Sequence, residues 1–345
     1  MTRIRARGED VRRFILDHVE KPSGDVTKVT ADKFKITRQA VNKHLRRLMF
    51  EGVLQRSGKT RAMVYRLAPL SEWKATYEIK PGLAEDIVWT RDMRTVLGPL
   101  PDNVSDIWHY GFTEMFNNAI DHSVGSLISV RVRKSATSTE TLLSDNGVGI
   151  FKKIQGTLEL LDERHSVLEL SKGKLTTDPK RHTGEGIFFS SRMFDSFAIL
   201  SGTVHFSHEF GKPEDWIMES QAGSSGTWVW MKLNNHTART TMKVFDQFAS
   251  DDDIGFTKTV VPVKLAQYGD DQLISRSQAK RLLTRVELFK TVLLDFREVE
   301  WIGHAFADEI FRVFAQQHQE IDLVPIHANS AVKRMIVRAR QGSTA

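Results

Sequence analysis

Two glycine turns and one helix edge constrain this chain more than any other feature. The turns are SDNGVGI (144–150) and HTGEGIFFSSRMFD (182–195), each led by a polar residue. Ahead of them, HYGFTEMFNNAIDHS (109–123) reads as a helix. Glu114, Asn118 and Asp121 or His122 recur at i, i+4 and i+7 or i+8, so they line one stripe of it. A fourth piece, GSSGTWVWMKL (223–233), closes the set, with Gly226 and Thr227 opening a strand. Leu142 and Leu143 read as a strand end, which puts Asp145 at its mouth. Gly147 and Gly149 permit positive φ and close approach of a ligand. Glu114 can accept a proton from water, and the Asn118 amide oxygen can ligate Mg²⁺. A carboxylate and an amide on one helix face, opposite glycine turns, suit an anionic ligand carrying a metal.

The chain has 345 residues, enough for two or three domains. There is no cysteine, which excludes disulfides and thiolate metal sites. No run of 18 apolar residues and no apolar core behind the basic N-terminus are found, so the expectation is a cytoplasmic protein without a membrane span. Charge is unevenly placed. Residues 1–70 carry 17 Lys/Arg against 7 Asp/Glu, while the whole chain is only +6. A basic N-terminal module with an acidic partner follows, nucleic acid first among them.

Within that module, Val11, Phe14, Ile15 and Val19 share one helical face. A short helix is expected over 29–35. A longer one follows Thr37, a good N-cap, with Val41, Leu45, Leu48 and Met49 as its apolar stripe and Gly52 as its end. Its other face offers Arg38, Gln39, Asn42, Lys43 and Arg46, side chains that read base edges and grip phosphates. VLQR (53–56) and MVYRL (63–67) then form a hairpin whose tip holds Lys59 and Arg61. ITRQAVNKHLRRLMFEGVL resembles the recognition helix and following strand of the winged helix-turn-helix regulators. The resemblance implies DNA binding through residues 1–70, with Arg38, Gln39, Asn42 and Lys43 facing bases and Arg46, Lys59 and Arg61 near phosphates. Such regulators commonly pair, so a homodimer is an open expectation.

The four pieces between Trp108 and Thr227 resemble, in order and spacing, the GHKL ATPase superfamily of gyrase, MutL-type mismatch-repair proteins, histidine kinases and anti-sigma-factor kinases. DNGVGI matches the family form without departure. The resemblance implies a Bergerat-type α/β sandwich over 71–236 that binds ATP with Mg²⁺. It implies Glu114 as general base, Asn118 as metal ligand and Asp145 as acceptor for the adenine amino group. It adds Asp121, Gly147, Gly149, Thr183, Gly184, Gly186 and Thr227 as nucleotide contacts. Asp121 matches the gyrase branch and His122 the kinase branch. His182 stands where many kinases have a glycine. The region 151–181 corresponds to the family's mobile lid. Lys172, Lys174 and Arg181 there are γ-phosphate candidates, against the commoner reading of a solvated charge run.

Residues 237–345 alternate strands and helices: TKTVVPVKLA (257–266), SRSQAKRLLTRVELF (275–289), TVLLDF (291–296), HAFADEIFRVFAQQH (304–318), IDLVPIHA (321–328) and SAVKRMIVRAR (330–340). They predict a small α/β layer, with Phe306, Ile310, Val313 and Phe314 on one face. VLLDFREVEWIGHAFADEIFRVF resembles the STAS domains of anti-anti-sigma factors, which implies a protein partner for this part. Those antagonists carry a serine soon after the strand, whereas this chain has Ile302, Gly303, His304, Ala305 and Phe306. Asp308, Glu309 and Arg312 read as surface or interface residues. The whole is an α+β multidomain chain whose expected function is an ATP- and DNA-binding regulator with slow hydrolysis. The alternative is a serine/threonine kinase resembling the anti-sigma-factor kinases.

Overall fold

The computed structural model describes residues 2–19, 25–58, 64–176, 183–212, 215–249, 255–267 and 272–341. Lys59, Arg61, Arg181 and His182 lie outside them.

The N-terminal part holds α1 (Thr2–His18), α2 (Val26–Phe34) and α3 (Arg38–Phe50), then β1 (Leu54–Ser57) paired antiparallel with β2 (Val64–Leu67). Thr37 caps α3, its hydroxyl accepting the Ala40 N–H at 3.2 Å. Val41, Leu45 and Leu48 face inward and meet Val11, Ile15, Val26, Leu54 and Leu67 in a core of their own. The first two helices begin earlier than apolar spacing suggested: α1 extends back through a charged stretch, and Asp25 caps α2 by accepting the Thr27 N–H.

β3 (Ser71–Glu78) follows directly, tied by the Leu70 N–H to the Lys134 carbonyl. Then come α4 (Glu85–Val88), a π-turn (Trp89–Met93) and α5 (Arg94–Leu97). α6 (Asp102–His122) buries Val104, Ile107, Trp108, Phe112, Met115, Phe116 and Ala119, a clean three-and-four spacing. Next come β4 (Leu127–Lys134), β5 (Ser138–Asp145), α7 (Ile150–Thr157), α8 (Glu163–Lys172), α9 (Gly186–Met193), β6 (Ser196–Glu209), β7 (Asp215–Asn234) and α10 (Thr241–Asp246). The five strands form an antiparallel sheet in the order β3-β4-β5-β7-β6, one face of which is covered by α6. Gly226 and Thr227 do not open their strand. They sit mid-way along β7, where Gly226 takes φ +70° and the pairing with β6 shifts register at Ser201 and Gly202.

The C-terminal part has β8 (Lys258–Pro262), α11 (Arg276–Leu283), β9 (Thr291–Asp295), α12 (His304–Asp308), α13 (Ala315–Gln317), β10 (Asp322–Ile326) and α14 (Ser330–Gln341). Its strands are parallel, in the order β10-β9-β8. A π-turn, Glu309–Phe314, joins α12 to α13 and shifts the buried face, so Phe311 is inside while Val313 and Phe314 are only half-buried. Asp308 and Glu309 are buried and ion-paired, Asp308 to Arg312 and Arg276. One continuous hydrophobic core runs from Tyr77 to Ala339 and joins this layer to the five-stranded sheet. Among the described residues, no helix is long and apolar enough to cross a membrane.

Candidate functional site

A cavity of about 250 Å³ opens between α6, the β5 and β7 strands, α7 and α9. Its lining includes Glu114, Asn118, Asp145, Thr183, Gly184, Gly186 and Thr227, so seven of the expected ligand contacts meet in one place. α6 presents three successive turns of one edge, with His122 completing the row, while the opposite edge is locked in the core.

Asp145 sits at the floor, on the last residue of β5, and is 8% exposed. Its Oδ1 accepts N–H bonds from Gly147 at 2.8 Å and Thr227 at 3.3 Å. Burial pushes its carboxyl above the ordinary range, and these bonds with the Thr227 hydroxyl oppose the push. Thr227 Oγ1 in turn accepts the Ile150 N–H at 3.1 Å, which ties the floor to the start of α7. A buried carboxylate with one oxygen held by backbone can accept a hydrogen bond from an amino group that reaches the other.

The glycines act by proximity. A Cβ at Gly186 would stand 1.9 Å from Glu114 Oε2, so the start of α9 packs flat against the Glu114 carboxylate. A Cβ at Gly147 would fall 2.0 Å from the Ser123 carbonyl oxygen. Gly147 and Gly149 therefore shape the floor, although neither lines the cavity itself. Asp121 is exposed and outside the lining, on the solvent side of α6 beside Lys153.

At the far end, Tyr110, Glu114 and Glu185 crowd together. Burial pushes the Tyr110 phenol well above its usual range, and the two carboxylates push the same way. Burial also raises the Glu185 carboxyl, against the Lys174 ammonium and a hydrogen bond from Thr183. Among the described residues no group of three or more His, Cys, Asp or Glu could hold a metal alone. Glu114 and Asn118 supply an oxygen donor set that suits a hard cation whose remaining ligands are water or phosphate oxygens.

Two features escaped sequence reading. Lys153 on α7 lines the cavity, its ammonium donating to the His122 carbonyl at 2.7 Å. Burial pulls its pKa down, and Asp121 pulls it back. Lys172 and Lys174 do not point into the cavity. Lys172 is fully buried against the C-terminal layer, and Lys174 donates to the Leu288 carbonyl at 2.9 Å.

In the N-terminal part, Arg38, Gln39, Lys43 and Arg46 are exposed along α3, and Asn42 is half-buried. Arg38 lies 3.7 Å from Asp25 in an exposed ion pair.

Residues 278–333 match the family model of a STAS-like domain of unknown function, DUF4325. The match runs from within α11 to within α14 and includes β9 and β10. No curated protein matches the chain.

Proposed function

We propose that the chain is an ATP- and DNA-binding regulator, built as a winged helix-turn-helix module, a GHKL-type nucleotide domain and the STAS-like domain. The observation that carries the nucleotide reading is that Glu114, Asn118, Asp145, Thr183, Gly184, Gly186 and Thr227 line one cavity together. In this reading Asp145 accepts from the adenine amino group and rejects guanine, which presents an oxygen there. The turn at Gly184 and Gly186 meets the phosphates with backbone N–H groups. Asn118 would hold Mg²⁺ through its amide oxygen, and the metal would neutralise phosphate charge. Glu114 takes the proton of an attacking water, beside the neutral Tyr110 phenol.

The exposed Arg38, Gln39, Lys43 and Arg46 of α3 support DNA binding, with Asn42 at their edge. ATP then acts as a switch on DNA binding rather than as fuel. The test is DNA affinity measured without nucleotide, with ADP and with a non-hydrolysable ATP analogue, beside calorimetric titration with ATP and GTP. Equal affinity for ATP and GTP would remove the Asp145 reading. Equal DNA affinity in all three states would remove the switch.

The STAS-like domain favours a second reading, a protein kinase resembling the anti-sigma-factor kinases. Residues 302–306 offer no hydroxyl as an internal acceptor, so the phosphate would go to a partner. Transfer from labelled ATP to a second protein decides between the two.

A further inference from the structure

Residues 169–176 are held from two sides. On the inner side Leu170, Leu175 and Thr176 line the cavity, and the Leu175 N–H donates to the Gly184 carbonyl at 3.0 Å. On the outer side the same short segment is gripped by the C-terminal layer. Lys172, with no exposed side-chain surface, donates to Glu169 at 2.6 Å and to the Thr284 carbonyl at 2.7 Å. Arg285 reaches Glu169 at 3.3 Å and also bonds the Lys174 carbonyl. The buried Thr259 hydroxyl, on β8, donates to the Lys172 carbonyl at 2.6 Å. Gly173 takes φ +84°, and a Cβ there would meet the Phe256 ring at 2.5 Å. Phe256 in turn packs on Phe188, itself a cavity residue, with ring centroids 4.6 Å apart.

Lys174 is the group these two sides share. Its ammonium is bound to the Leu288 carbonyl and lies 5.7 Å from the Phe256 ring centroid and 4.9 Å from that of Phe289. It also faces Glu185, which sits between Gly184 and Gly186 at the cavity's negative end. A polyphosphate arriving at that end brings several negative charges close to an ammonium now held by one neutral carbonyl and two rings and facing the single charge of Glu185.

We propose that a polyphosphate in the cavity competes with the STAS-like domain for Lys174, so that filling the cavity loosens that domain's grip on residues 172–176. The proposal rests on the nucleotide reading for the natural ligand only. By linkage, weakening the grip strengthens polyphosphate binding by the same factor. A ligand without phosphates has no such differential contact and shifts nothing.

Hydrogen exchange of the full-length chain tests this, read at residues 284–296 and 170–176. Saturating Mg-ATP should speed exchange there at least about five-fold, the lower end of ordinary coupling between sites. Adenosine should leave it unchanged, and inorganic tripolyphosphate should act like ATP. Lys174→Gln should exchange fast without ligand and gain nothing from ATP. Lys174→Arg should keep the response, which separates charge from mere packing. Arg285→Ala, outside the cavity, should bind tripolyphosphate more tightly. Unchanged exchange with both ATP and tripolyphosphate overturns the proposal, as does a full response in Lys174→Gln. If ATP fails to bind while tripolyphosphate still loosens 284–296, the nucleotide reading falls and the coupling stands.

Discussion

On the proposed nucleotide reading, Asp145→Asn separates stability from ligand binding, because the two should respond to the same carboxylate with opposite sign. The substitution keeps size and shape and removes the charge. The asparagine carbonyl can accept the Gly147 and Thr227 N–H groups that Oδ1 now accepts at 2.8 and 3.3 Å. Burial holds the Asp145 carboxyl above its ordinary range. The folded chain therefore binds that proton more tightly than the unfolded chain does. Stability falls as pH rises from the unfolded value through the folded one, and the loss persists at neutral pH. Removing the charge should leave the melting temperature unchanged or raised. Ligand binding moves the other way. The second oxygen, an acceptor for an amino group, becomes an NH₂ that only donates. A hydrogen bond to a charged group is worth about 1.5–3 kcal/mol, which corresponds to ATP binding weakened about 10- to 150-fold. Calorimetric titration and a thermal melt on one sample read both effects. ATP affinity within two-fold of the parent would refute the assignment of Asp145 to the ligand. A melting temperature lowered by more than about 4 °C, roughly the shift of 1 kcal/mol in a chain of this size, would refute the burial argument.

Gly186→Ala places a methyl where only 1.9 Å separates it from Glu114 Oε2, so Glu114 must swing away; ATP turnover should fall at least about ten-fold while the far-ultraviolet circular dichroism spectrum stays the same. Acid should weaken the fold below about pH 6.5, the ordinary histidine value, because His165, His205 and His44 are all held lower, chiefly by burial. A histidine with a depressed folded-state pKa contributes stability that is present above 6.5 and lost as pH falls toward the folded value, so urea midpoints measured from pH 7.5 to 5 should decline and those of His165→Gln should decline less. Arg46→Ala should weaken DNA binding evenly across sequences and reduce the salt slope by about one, whereas Lys43→Ala should relax sequence preference; a sequence-dependent loss at Arg46 would mean that this side chain reads bases rather than phosphates.

How much of this was legible in the sequence depended on how local the signal was. The Thr37 cap, the apolar stripe of α3 and the 54–57 and 64–67 hairpin follow from neighbours within a few residues, and each formed close to its expected place. The edge of α6 is a three-and-four pattern, and the glycine turns are short-range geometry, so the cavity residues on them were nameable in advance. What failed was long-range. Lys172 and Lys174 read as a solvated charge run or as phosphate contacts, yet Lys172 is buried on Glu169 and the Thr284 carbonyl and Lys174 is held by the Leu288 carbonyl, the two carbonyls more than a hundred residues away. Lys153 resembled any surface lysine until α7 was folded back onto the end of α6. Gly226 and Thr227 looked like a strand start because glycine usually breaks a strand, whereas here the glycine sits at an irregularity within a twenty-residue strand. The π-turns at 89–93 and 309–314 have no spacing signature, and the second shifted a face that had been laid out on a regular helix.

The core around Val11, Ile15, Val41 and Leu45 shares no buried residue with the larger one that begins at Tyr77. Heating should therefore melt this molecule in two calorimetric steps rather than one. The first should belong to the N-terminal helices and shift with added DNA. The second should take the five-stranded sheet and the STAS-like layer together, because one hydrophobic interior serves both. The melting temperature that reports on Asp145 is then that of the second step, and a cut near Ala68 should release a basic fragment without lowering it.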